Sequence, residues 1–160
     1  MFQIKRILAP TDLSELSQDG IRAALEIAKF QGAEITIYHV IELEDVFRDR
    51  FPPHPERSSL VELIEERRKL LAHFVEENFT DLILDLKILQ AVDVGVPYRK
   101  ILDRTADEHT DLIVMSTHGR TGLLHGLIGS VAEIVVRLAS CPVLTVHPAK
   151  RQHKVETQAA

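Results

Sequence analysis

The chain has 160 residues, 45% hydrophobic and 27% charged, which suits one folded domain with a single core and excludes a disordered chain. Asp and Glu outnumber Lys and Arg by 24 to 19, and a net charge of −5 argues against a nucleic-acid or anionic-membrane partner, since both need a basic face. Cys141 stands alone, so no intramolecular disulfide forms; with no signal-peptide core and no run of roughly 18 apolar residues, the expectation is a cytoplasmic protein without a membrane partner.

Ile4 to Pro10 (IKRILAP) reads as a first strand, broken by Thr11-Asp12. Ile21, Ala24, Leu25 and Ala28 recur at helical spacing, and Gln31-Gly32 ends that helix. Glu34 to Val40 (EITIYHV) is the second strand. Residues 42–58 carry many charges and three prolines without periodicity, which predicts a long surface excursion. Ser59 and Glu62 then fit a capping box, with Leu60, Leu63, Ile64, Leu71, Phe74 and Val75 on the helix's inner face. A third strand falls within Leu84 to Val94, and Pro97 opens the next helix. Asp111 to Ser116 (DLIVMS) is a continuous apolar run, as in a strand buried on both faces. After the glycine-rich HGRTGLLHGLIG come a helix with Val131, Ile134, Val135, Leu138 and Ala139 on one stripe, and a fifth strand, Pro142 to Val146.

Strands alternating with helices predict an open parallel α/β sheet with helices on both faces, a Rossmann-like arrangement. No repeat or linker divides the chain, so residues 1–148 are read as one domain and 149–160 as a polar tail.

Such sheets bind ligands beyond the carboxyl ends of their strands, where strand order reverses, which directs attention to the loops after strands one and four. In the first loop, Pro10-Thr11-Asp12, the carboxylate can accept hydrogen bonds from a ribose hydroxyl or an adenine amino group; equally, Asp12 or Ser14 can cap the following helix. In the second, Ser116-Thr117-His118-Gly119 is followed, after nine intervening residues, by Gly129-Ser130 at a helix start. Glycines and a helix N-terminus expose main-chain N–H groups to phosphate, with the Ser130 hydroxyl and Arg120 as further donors. The alternative is a capping box of Ser130 with Glu133. Walker, dinucleotide and nucleophile-elbow motifs are all missing, and the eight histidines show no metal-ligand spacing, so no catalytic or metal-binding residue is named.

The combination of ILAPTD, YHVIE, DLIVMSTHGRTGLLHGLIGSVAE and CPVLTVHP, from about Ile4 to Pro148, resembles the universal stress proteins. The resemblance implies strand order 3-2-1-4-5 and a homodimer paired through residues 142–147. It also implies ATP, with Mg²⁺ carried by its phosphates, as a regulatory ligand in a stress response, with at most weak hydrolysis. The family's nucleotide-binding branch carries G-x2-G-x9-G-[ST]; here Gly119 and Gly129-Ser130 match, while Ser116 stands in the first position. By the same resemblance, Pro10, Thr11 and Asp12 hold adenosine, with Val40 against adenine and Met115 beside base or sugar. Ser116, His118, Gly119, Arg120, Gly129, Ser130 and Val131 surround the ribose and phosphates. If position 116 needs a positive φ, serine costs about 1 kcal/mol there; if it keeps strand geometry, the cost is small. A nucleotide-free interaction module of the same fold is the alternative function.

Overall fold

β-Branched and apolar residues dominate the strands that form the centre of the molecule. β1 (Arg6–Thr11) pairs in parallel with β2 (Glu34–Glu42), in register from Arg6 opposite Glu34 to Thr11 opposite His39. β3 (Ile88–Gly95) lies beyond β2, while β4 (Leu112–Ser116) pairs with β1 and β5 (Val143–Val146) with β4. The order is β3-β2-β1-β4-β5, all parallel, as the resemblance implies. The structure, a computed structural model, describes residues 3–48, 60–118 and 129–147.

The helices are α1 (Gln18–Gln31), α2 (Leu43–Arg48), α3 (Leu60–Phe79), α4 (Pro97–Asp107) and α5 (Ser130–Leu138). Gly32 stops α1 by adopting the left-handed conformation (φ 64°), where a glycine has no Cβ penalty. Pro97 occupies the first turn of α4, where its missing N–H costs nothing. Successive strand residues face opposite sides of the sheet, and the core divides accordingly. Ile7, Ile35, Ile37 and Val114 pack with Ile21, Leu25, Leu71 and Phe74 of α1 and α3. Leu8, Tyr38, Ile113 and Met115 pack with Ile101, Ala132 and Val135 of α4 and α5. Met115 therefore faces α4 and α5, and the next residue, Ser116, faces α1.

Three expectations need correction. β2 extends to Glu42 and residues 43–48 are helical, so the excursion expected over 42–58 begins later; six residues are too few to display a helical period. Residues 49–58 and the expected cap, Ser59, lie outside the described residues, as does the tail 149–160. Leu60 and Leu138, placed on inner stripes, are 42% and 61% exposed. Each is an end residue of its helix: Leu60 precedes the turn that reaches the core, and Leu138 lies in the last turn of a helix packed at the sheet margin. Among the described residues no helix is long and apolar enough to cross a membrane.

Candidate functional site

β1 has β2 on one side and β4 on the other, so the strand order reverses at the carboxyl ends of β1 and β4. A cavity of about 420 Å³ opens there. Pro10, Thr11 and Asp12 form one wall, Met115 to His118 a second, and Gly129 to Ala132 a third. Val40, Val96, Ile101 and Met115 give the cavity an apolar lining, and the first turn of α5 lines it as well. Of the residues named from the sequence, Pro10, Thr11, Asp12, Val40, Met115, Ser116, His118, Gly129, Ser130 and Val131 all line this cavity. Gly119 and Arg120 lie outside the described residues.

The α5 terminus departs from the capping-box expectation. Gly129, not Ser130, is the N-cap, and as glycine it offers no side-chain cap hydrogen bond. The Gly129 N–H instead donates to the Thr117 carbonyl at 2.6 Å, tying the helix start to the end of β4. A Cβ on Gly129 would lie 2.9 Å from that same carbonyl oxygen, so the close approach requires glycine although the backbone (φ −58°, ψ 149°) is an ordinary one. Helix geometry leaves the N–H groups of Ser130, Val131 and Ala132 without intrahelical acceptors, at the positive end of the α5 dipole. Glu133 does not fold back over this terminus; its carboxylate points along the helix to Arg137, 3.8 Å away.

At the other wall, Thr11 is buried and its side chain turns inward: its hydroxyl bonds to Ser17 Oγ at 2.8 Å and accepts the Leu13 N–H at 3.0 Å. Asp12 accepts the Ser14 N–H and hydroxyl on Oδ1. Behind the loop, His39 is fully buried and its Nδ1 lies 2.9 Å from the Thr11 carbonyl. A carbonyl only accepts, so Nδ1 carries the proton and His39 fixes the end of β1. At the β4 end, the Thr117 hydroxyl joins His118 Nδ1 (2.8 Å) and His147 Nδ1 (2.9 Å).

One lining residue, Tyr38, belongs to a charged network. Tyr38, in the cavity floor, donates its hydroxyl to Asp93 at 2.7 Å, and the Arg104 guanidinium stacks 4.5 Å from its ring centroid. Arg104 also bonds Asp93 (3.2 Å) and Glu108 (2.6 Å), and Glu108 accepts from Thr36. Burial and the bond to Asp93 push the Tyr38 phenol well above the ordinary tyrosine range. Burial works against the Asp93 carboxylate, but hydrogen bonds from Tyr38 and Arg104 outweigh it and hold it below the ordinary range.

The sequence reading missed Tyr38, Glu42, Val96, Pro97, Tyr98 and Ile101 as cavity residues. The switch-point rule points to loops β1 and β4, whereas these come from β2 and the start of α4. Among the described residues no group of three or more His, Cys, Asp or Glu is placed to hold a metal ion.

A doubly wound parallel sheet with a cavity at its switch point, lined by apolar side chains and by the start of a helix, defines an α/β domain with a candidate ligand site. The chain belongs to the universal stress protein family, whose sequence profile matches residues 3–147. Universal stress protein MJ0531 of Methanocaldococcus jannaschii is 33% identical over 148 residues, covering 92% of this chain and 85% of that protein. The structure of MJ0577, a structural-genomics test case, superposes with a TM-score of 0.73 at 28% identity, covering 91% of this chain and 96% of that one. A universal stress protein in complex with cAMP superposes with a TM-score of 0.68, covering 91% and 99% of the two chains; at 20% identity that likeness is one of fold.

Proposed function

We propose that this universal stress protein is a regulatory nucleotide-binding protein whose ligand is ATP, with Mg²⁺ carried on the phosphates. The observation that carries the reading is the meeting of the Asp12 loop and the start of α5 across one cavity. The chemistry of the walls suits the parts of the ligand in order. Val40 and Met115, both nearly buried, offer an apolar slot for adenine. Asp12 accepts hydrogen bonds from hydroxyl or amino donors of the nucleoside. The amides of Ser130, Val131 and Ala132 and the Ser130 hydroxyl face the phosphates, which the helix dipole also favours. Gly129 keeps these amides close to β4, where a side chain would push them away.

Occupancy in this reading is the regulatory signal, and the protein's partners respond to the bound form only as far as their affinity differs between the two. The exposed edge of β5 is the proposed homodimer surface, covering main-chain groups that would otherwise pair indiscriminately.

Calorimetric titration with Mg·ATP tests the reading. The intact protein is expected to bind saturably with one site per chain, and Asp12→Ala to weaken binding by about tenfold, the loss of one charge-assisted hydrogen bond. A protein that folds, dimerises and takes up no adenine nucleotide would instead be the interaction module.

A further inference from the structure

Two histidines, one just past β4 and one just past β5, meet on a single hydroxyl. Thr117 Oγ1 lies 2.8 Å from His118 Nδ1 and 2.9 Å from His147 Nδ1, and the ring centroids are 6.1 Å apart. A hydroxyl has one proton to give and lone pairs to accept with. With both rings neutral it therefore donates to one Nδ1 and accepts an Nδ1–H from the other, so the two rings are opposite tautomers. The donating ring keeps an unprotonated Nε2, and one proton added there preserves every bond. A second proton would turn both Nδ1–H groups onto the Thr117 oxygen and set two cations side by side. Among the described residues the hydroxyl proton would then be left with the Val146 carbonyl, 3.5 Å away and already accepting the Thr117 N–H at 2.9 Å. The arrangement holds one positive charge and resists a second.

His118 lines the cavity, Thr117 is buried behind it, and His147 is exposed at the sheet margin. We propose that binding of the nucleotide's phosphates draws one proton from solvent onto His118, and that His147 is the positioning residue for it. His147 takes the Thr117 hydroxyl proton and leaves the oxygen free to accept the His118 Nδ1–H. Negative charge nearby favours the protonated imidazole, and imidazole is the side chain that changes charge between about pH 5 and pH 8. By linkage, affinity for the phosphates rises as pH falls through that range. At the same end of the sheet stand Asp12 in the β1 loop, Glu15 and Asp19 at the entry to α1, and Glu133 on α5, whose carboxylate lies 3.8 Å from Arg137. These charges act on the rings with or without ligand, so the change on binding comes from the phosphates. The inference rests on the nucleotide reading above and adds how pH regulates that site.

The test is calorimetric titration of Mg·ATP into the intact chain and His147→Gln at pH 6, 7 and 8, each in two buffers of different ionisation heat, which counts the protons taken up. The intact chain is expected to take up about half a proton per ATP at pH 7 and to bind about fivefold more tightly at pH 6 than at pH 8. His147→Gln, altered at an exposed residue outside the cavity, should match the intact chain at pH 8 and lose most of the uptake and of the pH dependence. Protonation of ATP itself is common to both proteins and cancels in the comparison. Equal uptake and equal pH dependence in the two would overturn the proposal while leaving the nucleotide reading in place. A His147→Gln chain weakened to the same degree at all three pH values would make His147 merely structural and overturn it likewise. An intact chain that binds no ATP at any pH would overturn the nucleotide reading, and this inference with it.

Discussion

The amide of Gly20, in the first turn of α1, donates to the hydroxyl of Ser116 at the end of β4 across 3.1 Å. This contact settles how a serine is accommodated where the family's nucleotide motif has glycine. Ser116 keeps strand geometry and is not among the positive-φ residues, so no left-handed backbone is required of it. Its hydroxyl turns away from the cavity toward α1. Room for it exists because residue 20 has no side chain: a Cβ there would lie 2.6 Å from Ser116 N and 2.7 Å from Ser116 Oγ.

Gly20→Ala is therefore expected to destabilise the fold by about 2 kcal/mol, the cost of overpacking outweighing the better helix propensity of alanine. Ser116→Gly should cost about 1 kcal/mol through the lost hydrogen bond. Because the hydroxyl faces α1, Ser116→Gly should leave ATP affinity within about threefold of the parent, a change of well under 1 kcal/mol. Urea denaturation and calorimetry measure the two effects separately.

The network beneath the cavity makes stability depend on pH at both extremes. Asp93 is held below the ordinary carboxylate range when folded, so its contribution is present above that range and is lost as pH falls through the lowered value. Tyr38 is shifted upward, so its contribution is complete below the ordinary tyrosine value and declines as pH rises beyond it. Arg104→Met removes bonds to Asp93 and Glu108 and the cover over the Tyr38 ring. It should cost about 1–2 kcal/mol at neutral pH, since the pairs are partly solvated, and should flatten the acid limb of the stability curve. Thermal melts from pH 3 to pH 8 read both.

β5 is the last strand of the sheet, with Leu144 40% exposed along it. The carbonyls of Pro142 and Val146 accept from the Ile113 and Thr117 amides, in and just past β4, so the main chain of Val143 and Thr145 points outward, as pairing with a second copy needs. Leu144→Lys is expected to convert a dimer to monomer in size exclusion with light scattering, without loss of the far-UV signal. Its side chain is already half in solvent, so the monomer should stay folded.

Much of this architecture is legible in the sequence because each element states its own local chemistry. The apolar runs of β2 and β4, the helical spacing from Ile21 to Ala28, Gly32 as a stop and Pro97 as a start need no tertiary knowledge. The switch-point rule then places Asp12 and Gly129 on opposite walls of one cavity. What stayed hidden depends on contacts distant in the chain. Gly20 and Ser116 are 96 residues apart, and nothing near either one announces the other. Ser130 with Glu133 satisfies the spacing of a capping box, yet Gly129 takes the cap because its amide is already bound to the Thr117 carbonyl. Tyr38 reads as an ordinary strand aromatic until Arg104, brought up by α4, is found stacked on its ring.

The central claim is that the main chain at the start of α5 receives the phosphates of a nucleotide held by Asp12. Amide resonances followed by NMR during a titration with Mg·ATP test it most directly. Saturable shifts are expected at Ser130, Val131 and Ala132, together with Asp12, at a common affinity. ATP that binds while those four amides stay fixed, with the shifts gathered on α3 and β3, would contradict it.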